Sequence, residues 1–168
     1  MTANANGLVP SENPDPGTFE AIYAALDASS RETIGPAQPR LLVIPIRADD
    51  GAVKGGLWGE TSFGWLHVQM LFVPEQLRGR GVGSSLMALA ETEARLRGCC
   101  GAHLDAFSFQ VAPFYRKLGF ETFGQLDGFP PGHRRLYLSK LFVAPEEDAE
   151  SASSARIASS PAERADHR

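Results

Sequence analysis

The chain has 168 residues, 43% of them hydrophobic and 21% charged, with a formal net charge of -4 and a sequence pI of about 5.6. These values fit one globular domain whose core stands without disulfides or metal. The acidic balance gives no electrostatic reason to expect nucleic acid or an anionic membrane as partner, and no run approaches the ~20 apolar residues of a membrane span.

Residues 1–17 are rich in Asn, Pro and Gly and lack the basic-then-apolar order of a signal peptide, so they are expected to form a flexible arm. Thr18 to Ser30 is predicted as a helix, with Phe19, Ile22, Tyr23 and Leu26 on one face and Thr18 as N-cap. The apolar run Leu41–Ile46 is predicted as a strand, and Pro45 puts it at an edge or a bulge. Asp49-Asp50-Gly51 is turn chemistry. Val53 to Thr61 follows as a strand whose three glycines imply bulging or close backbone approach. Trp65 to Val73 is apolar on both faces towards its end and is read as a central strand.

A helix is predicted from Gly81 to Arg97, with Val82, Leu86, Leu89 and Leu96 on one stripe, Glu93 interrupting it, and Gly98 as its stop. The adjacent Cys99 and Cys100 point apart in either helix or strand, so no mutual disulfide is expected. Reduced thiols place the protein in the cytoplasm. Ala102 to Phe107 is a further strand, and Pro113 to Leu118 a short helix stopped by Gly119. Phe120–Leu126 and Arg134–Phe142 read as an antiparallel pair closing around Gly128–Gly132. The order implies an α/β fold, a mixed sheet with helices on both faces, over residues 18–143. Residues 144–168 collapse to Ala, Ser, Glu, Asp and Arg and are expected to be a disordered tail.

The most informative stretch is Val73-Pro74-Glu75-Gln76-Leu77-Arg78-Gly79-Arg80-Gly81-Val82-Gly83-Ser84, which joins the central strand to a helix N-terminus. Orphan N–H groups and the positive helix end converge there and favour an anion, and the glycines allow a sharp turn and close approach. A P-loop would need Gly-Lys-Ser/Thr after a four-residue gap, and a dinucleotide fingerprint a glycine where Ser84 stands. No Gly-x-Ser-x-Gly elbow exists, and His67, His103, His133 and His167 are too scattered to predict a metal site.

The Arg-x-x-Gly-x-Gly pattern after a strand Val resembles the coenzyme A loop of the GNAT acetyltransferase superfamily. Phe114-Tyr115-Arg116-Lys117-Leu118-Gly119-Phe120 is similar to that family's aromatic-Tyr-x-Lys-x-Gly-Phe segment, and the likeness spans roughly Leu41 to Phe142. With Ser108-Phe109-Gln110 and Gly132-His133 it looks like an uncharacterised bacterial subgroup. The resemblance implies a GNAT fold, with a mostly antiparallel sheet splayed between strands Trp65–Val73 and Ala102–Phe107. It implies acetyl-CoA as co-substrate and no metal. Main-chain N–H groups of Arg78, Gly79, Arg80, Gly81, Val82, Gly83 and Ser84 would hold the pyrophosphate, and those of Leu71, Phe72 and Val73 would polarise the thioester carbonyl. Phe114 falls with the cofactor-binding residues, and Ser108 stands where the family often has Asn beside the pantetheine.

The resemblance also implies roles in catalysis. Tyr115 matches the family's proton donor to the leaving thiolate. His67 stands where histone-modifying members carry a Glu base; it is a base candidate, and water can serve instead. Gln69 shares its strand face by the two-residue period but cannot act as a base. The activity implied is an N-acetyltransferase acting on a primary amine of a small molecule by direct attack in a ternary complex. The alternatives are a protein or peptide acetyltransferase and a non-catalytic acyl-CoA sensor. A homodimer is the family's usual way of completing a short N-terminal part.

Overall fold

The computed structural model describes residues 8–109 and 112–142. The expected arm falls partly outside them at residues 1–7, and the expected tail over 144–168 lies wholly outside. The chain divides into two units, Met1–Pro39 and Arg40–Arg168. The first carries helix α1, Thr18–Ile34, one turn longer than the apolar spacing predicts. Its N-cap is Gly17 rather than Thr18, because Gly17 takes a left-handed turn at φ 84° while the Thr18 hydroxyl donates to Asp15 O at 2.7 Å.

The second unit holds strands β1 (Arg40–Arg47), β2 (Val53–Ser62), β3 (Trp65–Phe72), β4 (Gly101–Phe107), β5 (Glu121–Asp127) and β6 (Arg134–Leu141). Helix α2 (Val82–Leu96) joins β3 to β4, and helix α3 (Ala112–Lys117) follows β4. The six strands form one sheet in the order β1-β2-β3-β4-β6-β5. Pro45 thus lies on an edge strand, where its missing N–H costs no ladder bond. Only β3 and β4 pair in parallel, which the intervening α2 makes possible; the other pairs are antiparallel.

Alternation assigns the faces. Leu42, Leu57, Leu66, Val68, Leu104 and Leu138 are buried on the side that receives α2, while Leu41, Val43, Trp58 and Met70 stand exposed. The buried stripe of α2 differs from the predicted one. Leu86, Met87, Ala90 and Ala94 face the sheet, whereas Leu89 and Leu96 are 58% and 79% exposed. Ala90 and Ala94 lie fully buried beside Leu86 and Met87, so the packed face of α2 mixes small and large residues. Gly98 at φ 81° ends α2 as expected: its N–H reaches Arg95 O and that of Cys99 reaches Ala94 O. Cys99 is buried and Cys100 exposed, both free.

Glu93 interrupts the apolar pattern because it accepts from Arg97 Nε at 2.7 Å. The Arg97 guanidinium, 13% exposed, also donates to Arg40 O at 3.1 Å, Leu41 O at 3.0 Å and Thr61 Oγ1 at 3.3 Å. It thereby ties the end of α2 to the start of β1. A second charged tie, Lys140 Nζ to Glu91 at 2.7 Å, joins β6 to α2. Arg97→Ala would strand those acceptors half-buried, and a loss of about 2 kcal/mol in urea-unfolding stability is expected.

Candidate active site

The parallel register of β3 and β4 runs Trp65↔Gly101, Leu66↔Ala102, His67↔His103, Val68↔Leu104, and then stops. Both strands continue, to Phe72 and Phe107, paired on their outer sides to β2 and β6. A gap therefore opens inside the sheet, flanked by main-chain groups of Gln69–Phe72 that the β4 ladder does not use. A bulge accompanies the opening. Gly59 pairs with Val68 but Trp58 with Met70, so Gln69 is the extra residue. The bulge re-phases the strand: Gln69 and Met70 are both exposed, and Leu71 returns to the core side. Gly59 is required at the bulge, since a Cβ there would collide with His67 O.

From Phe72 the chain passes a short 3-10 turn, Glu75–Leu77, and enters α2 through Gly79 and Gly81, at φ 71° and 81°. Nothing lies within 4 Å of a Cβ built at either glycine, so these two serve the left-handed backbone and not space. Gly81 is the N-cap and offers no side-chain acceptor, leaving the first N–H groups of α2, at Val82, Gly83 and Ser84, directed at whatever enters the mouth. Arg78 Nε donates to Val73 O at 3.0 Å and its guanidinium lies 6.0 Å from the Phe72 ring centre, closing the loop on itself. Arg80 is exposed. Cofactor chemistry with a diphosphate and an amide-bearing arm fits this donor set: a cationic loop, a helix mouth, and a strand edge with spare main-chain groups.

Gly83 has a different reason. A Cβ there would meet the Phe114 ring at 3.2 Å and Val73 Cγ2 at 3.7 Å, so Gly83 faces α3 and not the mouth. Phe114 in turn lies edge-on to Tyr115, with ring centres 5.0 Å apart. Tyr115 is 6% exposed and belongs to the core cluster, yet its hydroxyl has no hydrogen-bond partner among the described residues and is not among the sealed unpaired atoms. Burial, and secondarily the Asp105 charge, push its pKa up to about 12, so the phenol keeps its proton at any ordinary pH.

His67 lies on the other face of the sheet, half-buried, with its ring stacked on His103 at 4.4 Å and 11°. Burial first, then the His67 charge, hold His103 below the usual histidine range, against a raising effect of Asp105. Asp105 is itself paired with Arg135 at 2.5 Å. Residue-by-residue reading passed over His103 and Asp105; their signal is the register, which sets His103 beside His67. Ser108 N donates to Arg134 O at 2.8 Å, and Ser108 Oγ accepts from Arg134 N at 3.1 Å, so it anchors the end of β4 to β6. Gln110 lies outside the described residues.

Among the described residues no group of three or more His, Cys, Asp or Glu is arranged to hold a metal ion, and no helix is long and apolar enough to cross a membrane.

The model of the Acetyltransferase (GNAT) domain family matches residues 42–122. An acetyltransferase of Agrobacterium fabrum is 42% identical over 135 residues, covering 80% of this chain and 98% of the relative. The blasticidin-S acetyltransferase of Streptomyces morookaense is 36% identical over 110 residues, 64% of this chain and 81% of the relative. A crystal structure assigned as an acetyltransferase from Agrobacterium tumefaciens superposes with a TM-score of 0.76 at 41% identity, covering 80% and 98% of the two chains.

Gly83→Val would drive a branched side chain into the Phe114 ring. A stability loss of about 1–3 kcal/mol is expected from overpacking, measurable by denaturant unfolding without any ligand.

Proposed function

The chain belongs to the GNAT family of N-acetyltransferases, and from that membership we propose that it transfers the acetyl group of acetyl-CoA to a primary amine of a small molecule, by direct attack in a ternary complex. The observation that carries the reading is the continuity of the β3–β4 gap with the uncapped mouth of α2, beside an unpaired Tyr115 hydroxyl. The blasticidin-S relative supports a small-molecule acceptor over a peptide.

Bound acetyl-CoA supplies the activated acetyl group. In the proposed arrangement, N–H groups from Arg78 to Ser84 bind the diphosphate and Arg80 adds positive charge at the mouth. Main-chain N–H groups at Leu71, Phe72 and Val73, on the edge left unpaired by β4, orient the carbonyl and stabilise its developing oxyanion. Phe114 packs under the loop and keeps Tyr115 in place. Tyr115 holds a proton on Oη for the departing thiolate, and its raised pKa suits a donor that must not ionise early. His67 accepts a proton from the acceptor ammonium directly or through water.

The direct test is a thiol-release screen with acetyl-CoA against polyamines, aminoglycosides, amino acids, peptides and blasticidin S. Amine-dependent release with at least one small molecule is expected; release with peptides only would reassign the acceptor, and none at all would count heavily against the reaction. Tyr115→Phe should leave CoA affinity within error and lower kcat by ~10²-fold. Normal turnover in that variant would remove Tyr115 from the mechanism.

A further inference from the structure

We propose that the cup formed by Glu60, Ser62, Phe63, Trp65, His67 and His103 binds an organic cation, the ammonium end of an amine. The cup is an open cavity of about 300 Å³ at the β2–β3 turn, on the sheet face away from α2. Its lining offers a carboxylate, a hydroxyl, two imidazoles and two aromatic rings, and no Lys or Arg. Glu60 sits opposite His67 in the β2–β3 register, and the ion pairs among the described residues leave its carboxylate out. A carboxylate and aromatic rings lining one cavity are the combination that receives an ammonium, by charge and by the ring quadrupole.

The backbone is arranged for it. Phe63 and Gly64 take the two positive-φ positions of the turn, at 48° and 75°. Phe63 is the one non-glycine residue with positive φ among the described residues, and an aromatic side chain is uncommon there. That local strain holds the Phe63 ring, 54% exposed, at the rim of the cup.

The floor is the stacked His67–His103 pair, with the Trp65 ring edge-on to His103 at 6.2 Å and 61°. Two imidazoles stacked this closely repel when both are charged, so a doubly charged pair is disfavoured and a neutral ring keeps one nitrogen lone pair. The lowered pKa of His103 agrees with that state. Other ionisable groups on this face are Asp105, paired with Arg135 of β6, Tyr137, opposite Asp105 in register, and Glu121 of β5, opposite Ser139, which itself pairs with His103. Glu60 of β2 therefore sets the sign of the cup.

One extension rests on the reaction proposed above: the cup then delivers the acceptor amine. One ammonium N–H bond breaks, its proton joins an imidazole nitrogen of the pair, and the electron pair stays on the now neutral amine. His103 would be the second half of a base that His67 alone does not complete.

The test uses the full chain without acetyl-CoA. Putrescine is the probe and butanediol its uncharged counterpart, with binding read from the imidazole C–H resonances of His67 and His103, assigned through His67→Asn and His103→Asn. Putrescine should shift both rings and butanediol neither. Glu60→Gln should weaken putrescine about fivefold. Affinity should also fall as the pH is lowered far enough to protonate His103, whose pKa lies below the usual histidine range, because that brings positive charge into the cup. Equal shifts from butanediol, unchanged affinity in Glu60→Gln, or an affinity that does not fall at the lower pH would each overturn the proposal. The pH response is read on the unsubstituted protein, so it decides the matter even if Glu60→Gln folds poorly. Putrescine binding in a protein that acetylates nothing supports the cup and overturns the reaction.

Discussion

Two parallel strands that share four residue pairs and then part leave main-chain groups without partners, and a protein interior does not tolerate that unless something fills the opening. β2 and β6 keep the outer edges of β3 and β4 paired, so the sheet stays intact while only its middle opens. The loop leaving β3 at Phe72 runs directly to the N-terminus of α2. Spare N–H groups along the gap and at the helix mouth thus form one connected donor surface. In a GNAT enzyme this surface suits a ligand whose amide arm extends a strand edge while its phosphates meet a helix terminus.

Much of this was legible in the chain because it is locally encoded. Apolar alternation marked the strands, the glycines at 79 and 81 marked the left-handed approach to α2, and Gly98 marked its end. What escaped depends on pairing across distance. The bulge at Gln69 is invisible to a period-two count, since it exists only relative to β2. Leu89 and Leu96 look like core by periodicity, yet the buried stripe is Leu86, Met87, Ala90 and Ala94, set by how α2 is rotated against the sheet. Glu93 made no sense as a stripe residue until Arg97 supplied its partner and carried the charge on to β1. The stacking of His67 on His103 follows from a parallel register that no single segment contains.

The three glycines of the loop show how one residue type answers different physical demands. Gly79 and Gly81 have empty space where a Cβ would go, so their requirement is conformational, and an L residue there costs backbone strain of ~1–2 kcal/mol. Gly83 has helical backbone and a crowded Cβ position, so its requirement is contact with Phe114. Through Phe114 that contact reaches Tyr115, so the missing Cβ of Gly83 makes room for the aromatic segment while its N–H stays at the helix mouth.

The remaining constraint concerns protons. A transfer that takes a proton from an ammonium and gives one to a thiolate needs an acceptor and a donor that do not neutralise each other. Tyr115 packs with the core on the α2 side of the sheet, its pKa raised to about 12, while His67 and His103 occupy the opposite face. Asp105, on β4 at the edge of the gap, pushes both Tyr115 and His103 toward their protonated forms. For the phenol that effect adds to burial; for the imidazole it opposes burial. In the proposed reaction one carboxylate would therefore favour the proton on the donor and partly offset the effect of burial on His103. Arg135, paired with Asp105 from β6, sets how strongly that field is felt on either side.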